Sequence, residues 1–575
     1  MSALGDWSSV RPPYKLISAE TARALDQEAS ASWGLSPFAL VEAAGRSCAA
    51  ILAAAYPGLF PAKPLSGSPG QKQGRPGRSA PRDFPRIVVL AGSGNNGADA
   101  MVLLRSLLIR GLAAAAASAL FINRLSREGE YTPRSEALAS LKKMGVPVLV
   151  WGASSPESLL EEADLIIDGI AGTGLGGPLR GIPLEMVGAV NQPTEKHAKA
   201  DSSAAIHAPL VVAVDVPSGN FDSWEPSMPI LRAHATLAIE PEKACLYRAR
   251  IYAGTILPVE GIFPPALIEA REGIELAQWG SINRRVPPVG KDDYKYRRGV
   301  VEIHAGSEGS TGAARIAARG ATAAGAGLIR LIADDAIYPI LAASAGGGMV
   351  VPASAAEVPP GAEDAAGEPP RFKADALLIG PGWGTGADRL PVLKQALEAE
   401  ARGTPLILDA DGILLSRSAG PGGRAATFHG KTILTPHPGE LSVLTGIPKE
   451  KLGDPELIAS VAKEKQAVIL FKSHILIIAA EDGRLGIVDG LAPVLANGGT
   501  GDLLAGLCAA IAARMNRAGV YDGYTAAAAA GALLMAAAEK QGTVFTDPLD
   551  MADIAAAIAG AAWLDGEAPR RYFYG

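Results

Sequence analysis

The sequence predicts an α/β protein with two domains, and three observations carry that expectation. Its 575 residues exceed the usual size of one hydrophobic core. Hydrophobic residues make up 48% of the chain, with 67 Gly and only 5% aromatics, which suits small-residue helices packed closely on sheets. Finally, short Val/Ile/Leu runs repeatedly end in glycine-rich turns: RIVVLAGSGNNGADA, DLIIDGIAGTGLGG, LVVAVDVPSG, ALLIGPGWGTG, PLILDADG and TILTPHPGE. Runs without polar alternation read as strands buried on both faces of a parallel sheet. The loops then sit at the carboxyl ends of strands, where open α/β sheets bind ligands.

Charge and composition exclude several classes. Lys plus Arg total 53 against 59 Asp plus Glu, a net charge of -6 with no basic stripe, so no nucleic-acid partner is expected. Cys48, Cys245 and Cys508 stand singly, which argues against a disulfide framework or a zinc site and for a reducing compartment. The opening MSALGDWSSVRPP lacks the pattern of a secretory signal. Of two uncharged stretches, Ala336 to Ala356 is broken by Pro339 and Gly346 to Gly348, and Tyr524 to Ala538 is shorter than the roughly 20 residues a span needs. The expectation is a cytoplasmic protein without a membrane partner.

Three polar segments, Pro61 to Pro85, Asn191 to Ala208 and Ser354 to Pro370, read as surface insertions. A divide at RRVPPVGK, Arg284 to Lys291, separates two sets of strand-loops, giving domains 1–285 and 286–575. No repeat of fixed period relates them, so they are two different domains.

In the first half, a strand from Arg86 to Ala91 runs into Gly92-Ser93-Gly94-Asn95-Asn96-Gly97-Ala98-Asp99 and a helix follows. Glycines admit a phosphate to the backbone, and a helix N-terminus adds positive partial charge; a tight strand-to-helix turn fits the same residues. Asp168 ends the strand DLIID ahead of Gly172-Thr173-Gly174-Leu175-Gly176-Gly177-Pro178. A carboxylate there suits cation binding or proton transfer, and equally the bracing of a loop. Asp215 and Ser218, in VAVDVPSG, either share the crevice or form an Asx-type turn.

Together GSGNNGADA, DGIAGTGLGG and VAVDVPSG, with LVEAAGRS at Leu40 to Ser47, resemble the N-terminal domain of the NAD(P)H-hydrate epimerases, a Rossmann-like family that interconverts the R and S epimers of hydrated NADH and NADPH. The resemblance implies that Asn95, Asn96, Gly97, Ala98, Asp99, Gly172 to Pro178 and Asp215 bind the hydrated dinucleotide. It implies potassium at Asn96, Asp168 and Ser218, hard oxygen ligands, with Asp168 also the proton-transfer group. Two departures stand out. Ala98 and Ala100 replace glycines of the family's GNNGGDG, with methyls that either narrow the phosphate approach or shift the loop, and NFDSWEP follows PSG where the family has an aspartate-rich turn.

In the second half, Asn497-Gly498-Gly499-Thr500-Gly501-Asp502 opens an apolar helical pattern. Small residues there present amides to an anion, and a carboxylate one step inside can take a proton from an attacking hydroxyl, as phosphoryl transfer requires. A glycine-rich helix entry with Asp502 in its first turn is the plainer reading. Lys472, ending AVILFK, meets a nucleotide phosphate or simply solvent. Glu440, in TPHPGE, suits magnesium held through water, and His437 either binds substrate or is structural. Gly380 to Gly384 and Asp409 to Gly412 complete the rim.

TPHPGE, GPGWG, LDADG and NGGTGDLLAG, with AGSEGSTGAA (Ala305 to Ala314) and AAGAGLIRL (Ala323 to Leu331), resemble the ADP- or ATP-dependent NAD(P)H-hydrate dehydratases, which have the ribokinase-like fold. That family phosphorylates the ring hydroxyl of the hydrated nicotinamide, and loss of phosphate restores NAD(P)H. The resemblance implies Asp502 as general base, Gly499, Thr500 and Gly501 around the transferring phosphoryl group, and His437, Gly384 and Asp502 at the hydrated dinucleotide. Lys472, Ser473, His474, Ile475, Leu476 and Gly501 would contact the adenine nucleotide, ADP ahead of ATP, with Mg2+ as cofactor. Ser473 and Leu476 stand where the family has glycine and threonine. The expected protein is a bifunctional lyase and isomerase, K+- and Mg2+-using, which forms a homo-oligomer. The alternative is a ribokinase-like small-molecule kinase with a non-catalytic nucleotide-binding N-terminal domain.

Overall fold

Buried on both faces and joined in parallel, the Val/Ile/Leu runs form two separate sheets in the computed structural model, which describes residues 14–60, 84–124, 129–153, 156–199, 208–344, 348–356, 373–542 and 544–563. The chain divides into two compact units: Lys15–Gly273, and Ile274 onward together with Tyr14.

The first unit has strands β1 (Ile87–Ala91), β2 (Ser118–Ile122), β3 (Val148–Val150), β4 (Leu165–Gly169), β5 (Leu210–Val214), β6 (Ala235–Ile239) and β7 (Thr255–Val259), in the spatial order β3-β2-β1-β4-β5-β6-β7, all parallel. The chain starts at the centre, winds outward through β2 and β3, then returns to β4 on the other side of β1. The crevice outside the carboxyl ends of β1 and β4 is therefore the topological switch point. Helix α1 (Pro37–Ala55), capped by Ser36 with Pro at its start, packs against α2 (Asn95–Ile109). Their closest approach needs a glycine. A Cβ on Gly45 would lie 2.5 Å from the Val102 side chain and 2.8 Å from the Asp99 carbonyl, which accounts for the LVEAAGRS pattern.

The second unit has β8 (Ile274–Leu276), β9 (Val300–His304), β10 (Leu328–Ala333), β11 (Met349–Pro352), β12 (Ala376–Ile379), β13 (Leu406–Leu408), β14 (Thr432–Leu434), β15 (Val468–Lys472), β16 (Leu476–Ala479) and β17 (Leu485–Val488), ordered β8-β17-β16-β15-β14-β13-β12-β9-β10-β11. Strands β9 to β15 pair in parallel, and β15, β16 and β17 form an antiparallel meander. Here the switch point lies between β9 and β12. Helices α3 (Thr311–Ala323), α4 (Thr500–Arg517), α5 (Gly523–Gln541) and α6 (Pro548–Trp563) build the core against this sheet with their alanine faces.

Several expectations change. Asn191 to Lys199 are not a loop but the end of the helix Gly181–Lys199, because Met186, Val187 and Val190 anchor that helix in the core and Asn191 bonds the Ile230 carbonyl at 2.9 Å. Residues 61–83, 200–207 and 357–372 lie outside those described, as do 1–13. Tyr524 to Ala538 are the buried centre of α5. Helix α1 is the one described helix long and apolar enough to cross a membrane; Leu40, Val41, Ala44, Cys48, Ala49 and Leu52 on it are buried in the first unit's core. Ala98 and Ala100 are wholly buried in that same core, and the Ala100 methyl lies against Gly169. In NFDSWEP, Phe221 and Trp224 form a small apolar cluster with Ile230 and Ala249.

Candidate active sites of the two units

In the first unit the Gly92 loop feeds α2, whose N-cap is Gly94 with no side-chain cap, so the first amides of the helix stay open to an anion. Arg134, 2% exposed, holds the loop by donating from Nε to the Gly92 carbonyl at 2.8 Å. Asn96 is buried, and neither its Oδ1 nor its Nδ2 has a hydrogen-bond partner among the described residues. Its amide abuts Gly172, where a Cβ would come within 2.9 Å of Asn96 Cγ. The β1 and β4 loops therefore meet, as the switch point demands. Along the second loop Leu175 donates its N–H to the Gly172 carbonyl at 3.1 Å, Arg23 donates to the Thr173 carbonyl, and Gly174, Gly176 and Pro178 face solvent.

Asp168, near the end of β4, has no exposed surface. Its carboxylate accepts the Ser218 hydroxyl at 2.5 Å, the Ser218 N–H at 2.8 Å and the Ile170 N–H at 3.1 Å. Burial nevertheless dominates these hydrogen bonds and pushes its pKa up to about 6. Asp215 follows β5 in a left-handed conformation, φ 67°, rare for a residue with a Cβ. Its carboxylate pairs at 2.5 Å with Lys243 Nζ, a residue no sequence pattern marked. Asp99, in the first turns of α2, is held well above the usual carboxylate range by burial and by Asp215 and Asp26 nearby.

In the second unit the β9 and β12 loops join directly: Gly306 donates its N–H to the Pro381 carbonyl at 2.9 Å, and the Ser307 hydroxyl donates to the Gly382 carbonyl at 2.9 Å. Gly384, φ 83°, donates its N–H to Asp411 at 2.7 Å. Three adjacent strand ends then converge. Lys472, ending β15, gives its ammonium to Asp409, after β13, at 2.6 Å, and the Thr435 hydroxyl, after β14, donates to the same carboxylate oxygen at 2.7 Å. Asp409 is 1% exposed, and Ala410 beside it carries φ 43°. The sequence places Asp409 only on a rim; the structure makes it the anchor of Lys472.

Helix α4 opens on Gly499, φ 95°, with no side-chain cap, leaving the first-turn amides to an incoming anion. Gly501 faces Lys472: a Cβ there would lie 3.2 Å from Nζ. Thr500 turns its hydroxyl inward to the Leu495 and Asn497 carbonyls, each at 2.9 Å. Asp502, in that first turn, has its pKa raised to about 6 by burial, with Asp409 and Glu440 adding to the rise and Lys472 opposing it. His437 N-caps the helix Pro438–Thr445, its Nδ1 accepting the N–H of Gly439 at 2.9 Å and of Glu440 at 3.2 Å, while Glu440 accepts the His437 N–H at 2.9 Å. Burial raises the Glu440 carboxyl, against the pull of Lys472. In the β15–β16 turn Ser473 bonds the Ile475 carbonyl at 2.8 Å, and the side chains of Ile475 and Leu476 are buried; the backbone of this turn and the exposed His474 are what it offers a ligand.

A parallel sheet with its phosphate-type loop and a buried Asp at one switch point, followed by a second sheet with a glycine-opened helix over a Lys–Asp pair, defines a two-domain α/β enzyme, a Rossmann-like unit followed by a ribokinase-like one. The family models and sequence relatives agree. The family model described as "YjeF-related protein N-terminus" matches residues 37–245, and the one described as NAD(P)H-hydrate dehydratase matches residues 301–557. The bifunctional NAD(P)H-hydrate repair enzyme Nnr of Moorella thermoacetica is 31% identical over 473 residues, covering 79% of this chain and 82% of the relative. That of Salinibacter ruber is 29% identical over 580 residues, 96% of this chain and 97% of the relative. Among solved structures, the ADP/ATP-dependent NAD(P)H-hydrate dehydratase from Bacillus subtilis, co-crystallized with ATP/Mg2+, aligns at 24% identity and TM-score 0.40 over 50% of this chain and 98% of its own. The chain belongs to the bifunctional NAD(P)H-hydrate repair enzymes. It acts as isomerase and lyase, epimerising hydrated NAD(P)H and dehydrating it.

Proposed function

We propose that dehydration runs through phosphoryl transfer at the α4 N-terminus, with Asp502 as the general base. The observation that carries this is the position of Asp502 in the first turn of an uncapped, glycine-opened helix, beside Lys472 and with its pKa near 6. On this reading Asp502 takes the proton of the nicotinamide ring hydroxyl as its oxygen attacks the terminal phosphorus of the nucleotide. The Gly499 to Gly501 amides and the helix dipole offset the charge on the transferring group. The ring nitrogen then expels phosphate from C6, a proton leaves C5, and the C5–C6 double bond of NAD(P)H returns. Lys472 and the turn through Leu476 face the adenine nucleotide, ADP ahead of ATP, while Gly384 and His437 face the hydrated dinucleotide. Mg2+ would be held through water at Glu440, whose carboxylate lies buried beside Lys472, and when bound would neutralise nucleotide phosphate charge.

For the first unit we assign the hydrated dinucleotide to the crevice between the β1 and β4 loops, with Asn95 to Asp99, Gly172 to Pro178 and Asp215 as contacts. The unpartnered Asn96 Oδ1, with Asp168 and the Ser218 hydroxyl, is an oxygen donor set that fits potassium; that ion would supply fixed positive charge near the dinucleotide's phosphates. Asp168 is the proton-transfer candidate, its pKa near 6 suited to both directions of exchange. Epimerisation is assigned to 1–285 and dehydration to 286–575, although β8 pairs with β17 in the second sheet. The three buried free cysteines support a cytoplasmic setting. The homo-oligomer rests on family resemblance and is tested by sedimentation.

The experiment is recovery of NADH absorbance from an equilibrated mixture of both epimers, with magnesium and either ADP or ATP. Recovery with one donor that Asp502→Ala abolishes supports this reading. No recovery with either, or retention of a phosphorylated product, overturns it.

A further inference from the structure

The turn from Asp215 to Ser218 is tied at both ends by buried charged side chains. At one end Ser218 gives its N–H and hydroxyl to Asp168. At the other Lys243, 4% exposed, directs Nζ to Asp215 Oδ1 at 2.5 Å and to the Ile239 carbonyl at 2.8 Å. The backbone of Lys243 is fixed in turn. Ile17 pairs with it in an isolated parallel bridge, with Ile17 N–H to the Glu242 carbonyl at 3.0 Å and Ala244 N–H to the Ile17 carbonyl at 2.9 Å.

Stability alone does not account for this arrangement. A buried ion pair contributes less to a fold than well-packed apolar side chains of the same volume, and Asp215 bears a left-handed conformation that a glycine would adopt without strain. Strain and desolvated charge concentrate here at the carboxyl end of β5, one strand from the switch point. Asp99 Oδ1 lies in the same buried neighbourhood without a hydrogen-bond partner among the described residues. Lys243 pairs with Asp215, and its charge also acts on Asp99.

We propose that Lys243 is a positioning residue for epimerisation: its ammonium holds the Asp215 carboxylate in place and in its left-handed conformation, ready to receive a hydroxyl of the hydrated dinucleotide. This rests on the assignment of Asp215 to substrate binding. Lys243 itself touches no reacting atom; it acts through Asp215.

The test is a double-mutant cycle in the full chain, following interconversion of the R and S epimers of NADH hydrate by NMR. Lys243→Met is expected to lower epimerase kcat/KM at least tenfold, Lys243→Arg to recover a large part, and dehydration of the S epimer to stay unchanged. In the Asp215→Asn background, Lys243→Met is expected to cause no further loss. Wild-type epimerisation in Lys243→Met overturns the proposal, as does a loss of equal size in both backgrounds. If Lys243→Met does not fold, the double variant, which leaves no unpaired ion at this pair, is compared with Asp215→Asn: equal rates support the proposal and a further tenfold loss overturns it. Wild-type epimerisation in Asp215→Asn overturns instead the assignment of Asp215 on which the proposal stands.

Discussion

Asp502, the proposed general base, shows at the scale of one residue how a buried carboxylate opposes stability. Its carboxyl has a folded-state pKa near 6, above the usual 3.8, so the native chain binds that proton more tightly than the unfolded chain. The ionised group therefore costs stability. The cost is fully present above about pH 6 and gone below about pH 4, and amounts to about 3 kcal/mol. Asp502→Asn should raise the thermal midpoint of the second unit at pH 8, lose that gain at pH 4, and abolish dehydration; calorimetry at the two pH values checks the sign. Asp409 adds to the rise at Asp502, and Asp409→Asn also releases the Lys472 ammonium toward it. Both changes favour the anion, so the acid limb of the dehydration rate should move to lower pH in Asp409→Asn. A limb that stays put or moves up would remove Asp409 from the account. Neither Asp409's role nor Lys243 was legible locally, because each acts on a partner 63 or 28 residues away and no spacing rule connects them. Asp168 and Asp502, by contrast, stand beside glycine loops that announce them.

Elements meet where glycine lets backbones touch. A Cβ on Gly506, in α4, would lie 2.1 Å from the Ala317 carbonyl in α3, and one on Gly320, in α3, would lie 2.5 Å from the Leu503 carbonyl. Both obstacles are main chain, which does not yield like the end of a flexible side chain. Gly506→Ala should therefore cost about 3 kcal/mol. Because Gly506 is on the helix whose first turn carries Asp502, the same change should slow dehydration at temperatures where the protein stays folded; chemical denaturation with parallel kinetics separates the two effects. An Ala change at Gly560, in α6, where a Cβ meets nothing within 4 Å, is the matched control. The strands that run into the glycine-rich loops were readable as apolar runs, and α4 as an apolar helical pattern. The helical course of Asn191 to Lys199 was not, because what continues that helix is tertiary anchoring of Met186, Val187 and Val190 rather than its own polar composition.

Across the whole molecule, each unit carries its own switch-point crevice, so the two activities should be lost separately. With an equilibrated epimer mixture, Asp502→Ala should leave interconversion intact and recover no NADH. Asp168→Ala should keep the fast recovery from the S epimer and slow the later phase to the uncatalysed rate, which a single progress curve for each variant reveals; a variant that abolishes both would contradict independent sites. The sequence alone determined two α/β domains, their order, the loops that form each crevice and the family, because buried strands and anion-binding turns are local patterns written in neighbouring residues. Tertiary structure alone decided that Ala98 and Ala100 face the core, that Lys472 is held by Asp409 and Asp215 by Lys243, and that Asp168 and Asp502 are desolvated enough to sit near pH 6. Those properties depend on what surrounds a side chain once distant strand ends converge, and desolvation and Coulomb coupling exist only after the chain has folded.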